Sequence, residues 1–290
     1  MKERLNFRNF LGMAAPPVLY VVIMQLSGYL AVAVSVGLQF AGIFRGNTVT
    51  IGWEQLNFMA TAIAAVIGVP VFYWLLERDR TRCPSDYRYE RVKKGKYVYI
   101  ILIGLLGAGA LNKFLSLLQI DRIFTGYEET AGVLYSTNIW LELVVLGLIV
   151  PITEELIFRG VVYERMKRCF SLKMAAFLCS LFFGVYHGNV SQGIYAFLLG
   201  LLLVYVKERY HSMAAPVLFH MSANIYSVLA SETPLLEWTA GTLEMFLATM
   251  ILEAAVSVVL LWRIEEEISP KKVKKNREWH NDSENYGKIY

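Results

Sequence analysis

Long apolar runs recur along the whole chain, separated by short charged or turn-rich breaks. A helix needs about 20 apolar residues to cross hydrocarbon, and on that measure the pattern predicts about eight membrane-spanning helices. They fall at roughly 11–38, 55–76, 97–118, 139–163, 174–190, 192–206, 212–230 and 243–262. The polar stretches around Arg78–Lys96 and from Arg263 onward are too short for a second folded domain. The expected fold class is therefore all-α, a polytopic transmembrane helix bundle. Residues 1–138 would be a membrane scaffold of about three spans and 139–263 a core of about five. Residues 264–290 read as a charged cytoplasmic tail too poor in aliphatic residues to pack.

Basic residues near span ends are retained on the cytoplasmic side, and they set the expected orientation. With the N-terminus inside, nearly all of the 28 Lys and Arg fall on that side. The opposite side receives Arg45 and Arg122, while Lys113 and Arg159 lie within spans. Both termini are thus expected in the cytoplasm. The basic start followed by an apolar stretch also resembles a secretory signal, but the apolar region runs well past a normal signal core. Composition agrees with a membrane protein: 56% of residues are hydrophobic and 18% charged. The net charge of +4 comes from the cytoplasmic segments and implies an anionic membrane face, not a nucleic-acid partner. Cys83, Cys169 and Cys179 form no CxxC pair and are expected to be free thiols.

Ionisable side chains within hydrocarbon cost several kcal/mol and usually face a protein interior or wet cavity. Three such groups stand on three separate spans: Glu154, Glu155 and Arg159; Phe183 and His187; His220 and Asn224. Glu155 and Arg159 are four apart, with the acid first, the favourable order for an ion pair. Glu154 is turned about 100° away and is free to address another helix. Helical rise puts Glu154 and His220 at similar depths and leaves His187 deeper, the weakest match. Phe183 shares a face with His187, and His220 with Asn224. Gly184 and Gly188 form a small-xxx-small pattern that would admit a close helix.

A carboxylate and two imidazoles in a wet cavity can deprotonate water, deliver it to a carbonyl and protonate the departing amine. One histidine could share the water while the other, with Asn224, stabilises the oxyanion. Glu154, His187 and His220 are equally a possible zinc set with an open fourth position, although no HExxH helix is present. Ser180 and Ser222 are competing nucleophiles, but membrane serines more often bond to a helix backbone. Glu142 reads as a helix end, Glu253 as structural, and His211 as a solvated turn residue.

In this order, EExxxR, FxxxH and HxxxN resemble the CAAX prenyl protease and bacteriocin-processing (CPBP) family of intramembrane endopeptidases. The resemblance spans about residues 139–230. It implies Glu154 as catalytic base, His187 and His220 as water- or metal-binding groups, and Asn224 as an oxyanion or orienting residue. Glu155, Arg159 and Phe183 would support the site. Either a zinc metalloprotease or a metal-free glutamate peptidase is implied, acting on a membrane-associated peptide or protein that is prenylated in the eukaryotic members. Bacterial members are linked to bacteriocin maturation, immunity and surface-protein processing, and the short loops point to a bacterial cell membrane. The reading from a different class is a non-catalytic immunity, adaptor or transport protein that binds a peptide through the same polar cluster.

Overall fold

A computed structural model describes residues 3–40, 52–83, 94–124 and 126–267. Arg45, His280 and most of the expected tail lie outside the described residues. Those that are described build an all-helical protein, as hydrocarbon demands of a chain that must satisfy its backbone internally. In order come α1 (Phe7–Phe40), α2 (Trp53–Arg82), α3 (Tyr97–Leu117), and the short α4 (Ile120–Ile123) and α5 (Tyr127–Leu134). One interrupted helical rod follows: α6 (Ile139–Val144), a π-helical stretch (Val145–Ile149), α7 (Val150–Glu155), a second π-helical stretch (Leu156–Val162) and α8 (Tyr163–Cys169). The chain ends with α9 (Leu172–Tyr186), α10 (Val190–Tyr210), α11 (Ala214–Glu232), α12 (Leu235–Ala240) and α13 (Leu243–Glu267).

Five of the expected spans are helices long and apolar enough to cross a membrane: α1, α2, α3, α10 and α13. The other three expected spans are helical too, and they are the three that carry the polar motifs. Residues 139–163 are divided by the π-helical stretches, α9 has only 15 residues, and α11, with 19, carries His220, Ser222, Asn224 and Ser227. The polar side chains that make these helices interesting also dilute their apolar signal.

Close packing and caps place the motif helices. Gly104 lies against Phe219 and Ser222, and Gly109 against Tyr226, so α3 and α11 run in the same direction in contact. A Cβ on Gly184 would stand 2.6 Å from the carbonyl oxygen of Gly193, so α9 and α10 approach through a glycine. Gly188 is not part of that seam. It has φ +77° with open space around it, which makes it the turn residue between α9 and α10. Asn189 then starts α10 by accepting from the Gln192 amide at 2.7 Å. This tight reversal leaves His187 at the C-terminal end of α9, facing the centre of the bundle.

Candidate active site

Thr153 fixes the first motif. Its hydroxyl donates to the Ala65 carbonyl of α2 at 2.9 Å, and its methyl group packs over Gly68. The two following carboxylates then take separate positions. Glu155 and Arg159 have no exposed surface, and Arg159 Nη1 donates to Glu155 Oε1 at 2.8 Å. Arg159 Nη2 also reaches the Gly200 carbonyl at 3.3 Å, and its guanidinium lies 4.3 Å from the centre of the Phe183 ring. Phe183 in turn presents its ring to His187 and His220, with centroids 4.8 and 5.6 Å away.

His220 stands between the two glutamates. Its Nδ1 is 2.9 Å from Glu155 Oε1, and its Nε2 is 3.7 Å from Glu154 Oε2. The second separation is longer than a hydrogen bond, so the two groups face each other across a narrow gap. His187 Nδ1 lies 2.7 Å from the Phe183 carbonyl. A carbonyl only accepts, so Nδ1 carries a proton, and in the neutral ring Nε2 presents its lone pair. Asn224 does not bond to His220; its Nδ2 donates to the Leu146 carbonyl in the first π-helical stretch at 2.9 Å. A second N–H on the same nitrogen remains for another acceptor.

Glu154, His187, His220 and Asn224 all line one cavity of about 940 Å³. The depth mismatch at His187 is therefore closed by packing. Ser180 and Ser222 do not line this cavity; Ser222 bonds to the Leu218 carbonyl of its own helix at 2.7 Å. The thiol of Cys179 is buried and directed at the Phe158 carbonyl.

Glu154, His187 and His220, the possible zinc set, all line the one cavity. Among the described residues, no three His, Cys, Asp or Glu side chains converge to hold a metal ion. His187 and His220 each commit Nδ1 to another partner, which leaves both Nε2 atoms uncommitted, and His220 Nε2 lies 3.7 Å from Glu154.

Several groups around the site were not visible from the motifs. Glu155 holds His220 as well as Arg159. Lys207, assigned by sequence to a cytoplasmic span end, is 2% exposed and donates to Glu164 and to the Arg159 carbonyl. Glu142 accepts from the Thr137 amide at 2.9 Å and closes the start of α6. Glu253 pairs with Lys113 at 2.6 Å.

The fold and the site define a membrane-spanning helical protein in which the Glu154 carboxylate and the imidazoles of His187 and His220 line one cavity. Residues 136–226 match the family model of the type II CAAX prenyl endopeptidase, Rce1-like. The match covers every residue of the candidate site and supports a membrane protease. Comparison with curated proteins and with solved structures gives no match.

Proposed function

We propose that the protein is an intramembrane endopeptidase in which Glu154 activates water. The observation that carries this reading is the Glu154–His220 gap of 3.7 Å on the wall of a cavity shared with His187 and Asn224. In this scheme Glu154, with the free Nε2 of His187, takes a proton from water as its oxygen attacks the scissile carbonyl. The resulting oxyanion accepts hydrogen bonds from His220 Nε2–H and the remaining Asn224 N–H. Glu154 then returns the proton to the departing amine as the C–N bond breaks. This scheme uses a proton on each His220 nitrogen, Nδ1–H toward Glu155 Oε1 and Nε2–H toward the reacting carbonyl.

The substrate is a peptide or protein held at the membrane, with lipid-modified chains the first class to test. Full-length protein and Glu154→Gln in detergent are offered membrane-tethered peptides, with and without chelator. The substitution is expected to lower cleavage by about 10²- to 10⁴-fold; equal product from both proteins would overturn the assignment. Cleavage unchanged by chelator would leave the direct Glu154 route in place. Loss on chelation with recovery on added zinc would put a metal-assisted route in its place.

The orientation we propose has both termini in the cytoplasm, residues 1–138 as scaffold and 139–263 as core. The same-direction packing of α3 and α11 fits three crossings between them, and the side on which the termini lie rests on the basic residues at the span ends. In a bacterial cell membrane, a protease added outside should leave the 268–290 tail intact; its removal would reverse the orientation.

A further inference from the structure

The cavity runs toward one end of the bundle. Its lining takes in Ile120 of α4, Thr130 and Tyr135 of α5, and Leu236 and Glu237 of α12. α3 and α11 run the same way, so the short helices that follow each of them meet at the same end. Exposure grades along the cavity. Ser116, Ser231, Leu236, Glu237 and Gly241 line it and are exposed, whereas Phe183, Glu154 and His220 line it and are buried. The candidate catalytic groups are therefore at the bottom, and the mouth lies between the ends of α3, α11 and α12.

The opposite end is closed. Residues 153–164 are all buried, and of them only Glu154 lines the cavity. Below the Glu155–Arg159 pair, Lys207 donates to the Arg159 carbonyl and to Glu164, and Arg165 bonds to Asp79 at 2.6 Å and to the Gly12 carbonyl. This charged layer joins α1, α2, α8 and α10, and a passage through it would break buried ion pairs. The described ends of the chain lie on this side. The Glu3 amide donates to the Arg168 carbonyl at 2.9 Å, and Lys96 Nζ to the Glu267 carbonyl at 2.7 Å.

Helical rise measures the way from mouth to site. Along α11, His220 and Ser231 are separated by about 16 Å. Along α3, Gly104, which packs against Phe219 and Ser222, is about 18 Å from Ser116. An extended chain covers that distance in about five residues. The carboxamides of Gln25, Asn112 and Gln192 also line the cavity, and each carries N–H donors for main-chain carbonyls that an extended segment brings in unpaired.

We infer that the segment to be cut enters as extended chain through this mouth, from the face of the membrane opposite the protein's own termini. At least about five residues then separate the cut bond from any folded part. This rests on the peptidase reading and adds a substrate class to it. In the proposed orientation the mouth faces outward, so the substrates are unstructured ends or loops of polypeptides on the outer face of the membrane.

The test uses full-length protein in sealed vesicles, sorted by whether added protease reaches the 268–290 tail. Each set is offered a water-soluble folded domain joined to one apolar peptide through spacers of about 2 to 10 residues. Cleavage is expected only where the tail is shielded, and is expected to be lost when fewer than about five residues separate the domain from the cut bond. Cleavage from the tail's side overturns the inference, as does undiminished cleavage with the shortest spacer. Because the faces are defined by the tail, a reversed orientation changes which face is outer without touching this result.

A second readout needs no turnover. In protein with Cys83 and Cys169 changed to Ser, a thiol reagent that cannot cross the membrane should label Ser231→Cys and Glu237→Cys only where the tail is shielded. Excess peptide added on that face should slow labelling of Asn112→Cys. Labelling from the tail's side, or labelling of Asn112→Cys at the same rate with and without peptide, overturns the entry route. Labelling and protection as expected, with no cleavage from either face, keep the route and remove the peptidase reading.

Discussion

Glu155 Oε1 lies 2.9 Å from His220 Nδ1 and also receives Arg159 Nη1 at 2.8 Å. One carboxylate oxygen therefore joins the arginine of the first motif to the histidine of the third. Glu155 Oε2 and Arg159 Nε have no hydrogen-bond partner among the described residues, so the whole tie depends on that oxygen.

Breaking this pair should unfold the protein more readily than altering Glu154. Arg159→Leu takes the guanidinium from buried Glu155 and leaves it only the His220 ring, a loss of about 3–5 kcal/mol. Glu154→Gln changes a group that faces a cavity and has no short ion pair, and should change stability by about 1 kcal/mol or less. Thermal unfolding in detergent compares the two. An Arg159→Leu protein as stable as the parent but inactive would assign Arg159 to substrate binding instead.

The Glu155–Arg159 relation was legible because both partners sit on one helix, four residues apart. The Glu155–His220 bond was not, because it crosses 65 residues of sequence and depends on how α11 seats against the 139–169 rod. The π-helical stretches were hidden for a different reason. A shift from i+4 to i+5 bonding has no fixed residue pattern; here the Val150 amide reaches back to the Val145 carbonyl and Pro151 has no N–H, which frees the Leu146 carbonyl that Asn224 takes. Lys113 was placed within a span by the sequence, but its partner Glu253 lies 140 residues away. Gly188 was misread because a small residue serves either a helix seam or a turn, and only its positive φ separates them.

Asn224 is expected to act on turnover more than on binding. Its free N–H is assigned to the oxyanion, which exists only after attack. Asn224→Ala should therefore lower kcat by about 10²- to 10³-fold with little change in KM. The lost bond to Leu146 should add about 1 kcal/mol of destabilisation. Steady-state kinetics on a cleaved peptide makes the check, and a rise in KM at constant kcat would make Asn224 a substrate-binding group.

The charged knot behind the site gives an asymmetric prediction. Lys207 donates to Glu164 and to the Arg159 carbonyl, while Glu164 also meets Lys167 at 2.9 Å. Removing the ammonium with Lys207→Met leaves Glu164 a second cation, so the main loss is the charged hydrogen bond to the Arg159 carbonyl, about 1–3 kcal/mol. Glu164→Gln instead leaves Lys207 buried with only neutral partners among its described bonds, a loss of about 3–5 kcal/mol. Glu164→Gln should thus melt well below Lys207→Met, and a Lys207→Met/Glu164→Met double variant should recover part of the difference. Because Lys207 grips the backbone of the residue that holds Glu155, Lys207→Met should also loosen the His220 contact and lower kcat. Restored kcat in Lys207→Arg would tie that loss to the carbonyl bond. Equal melting of the two single variants would mean that Lys167, not Lys207, is the effective partner of Glu164.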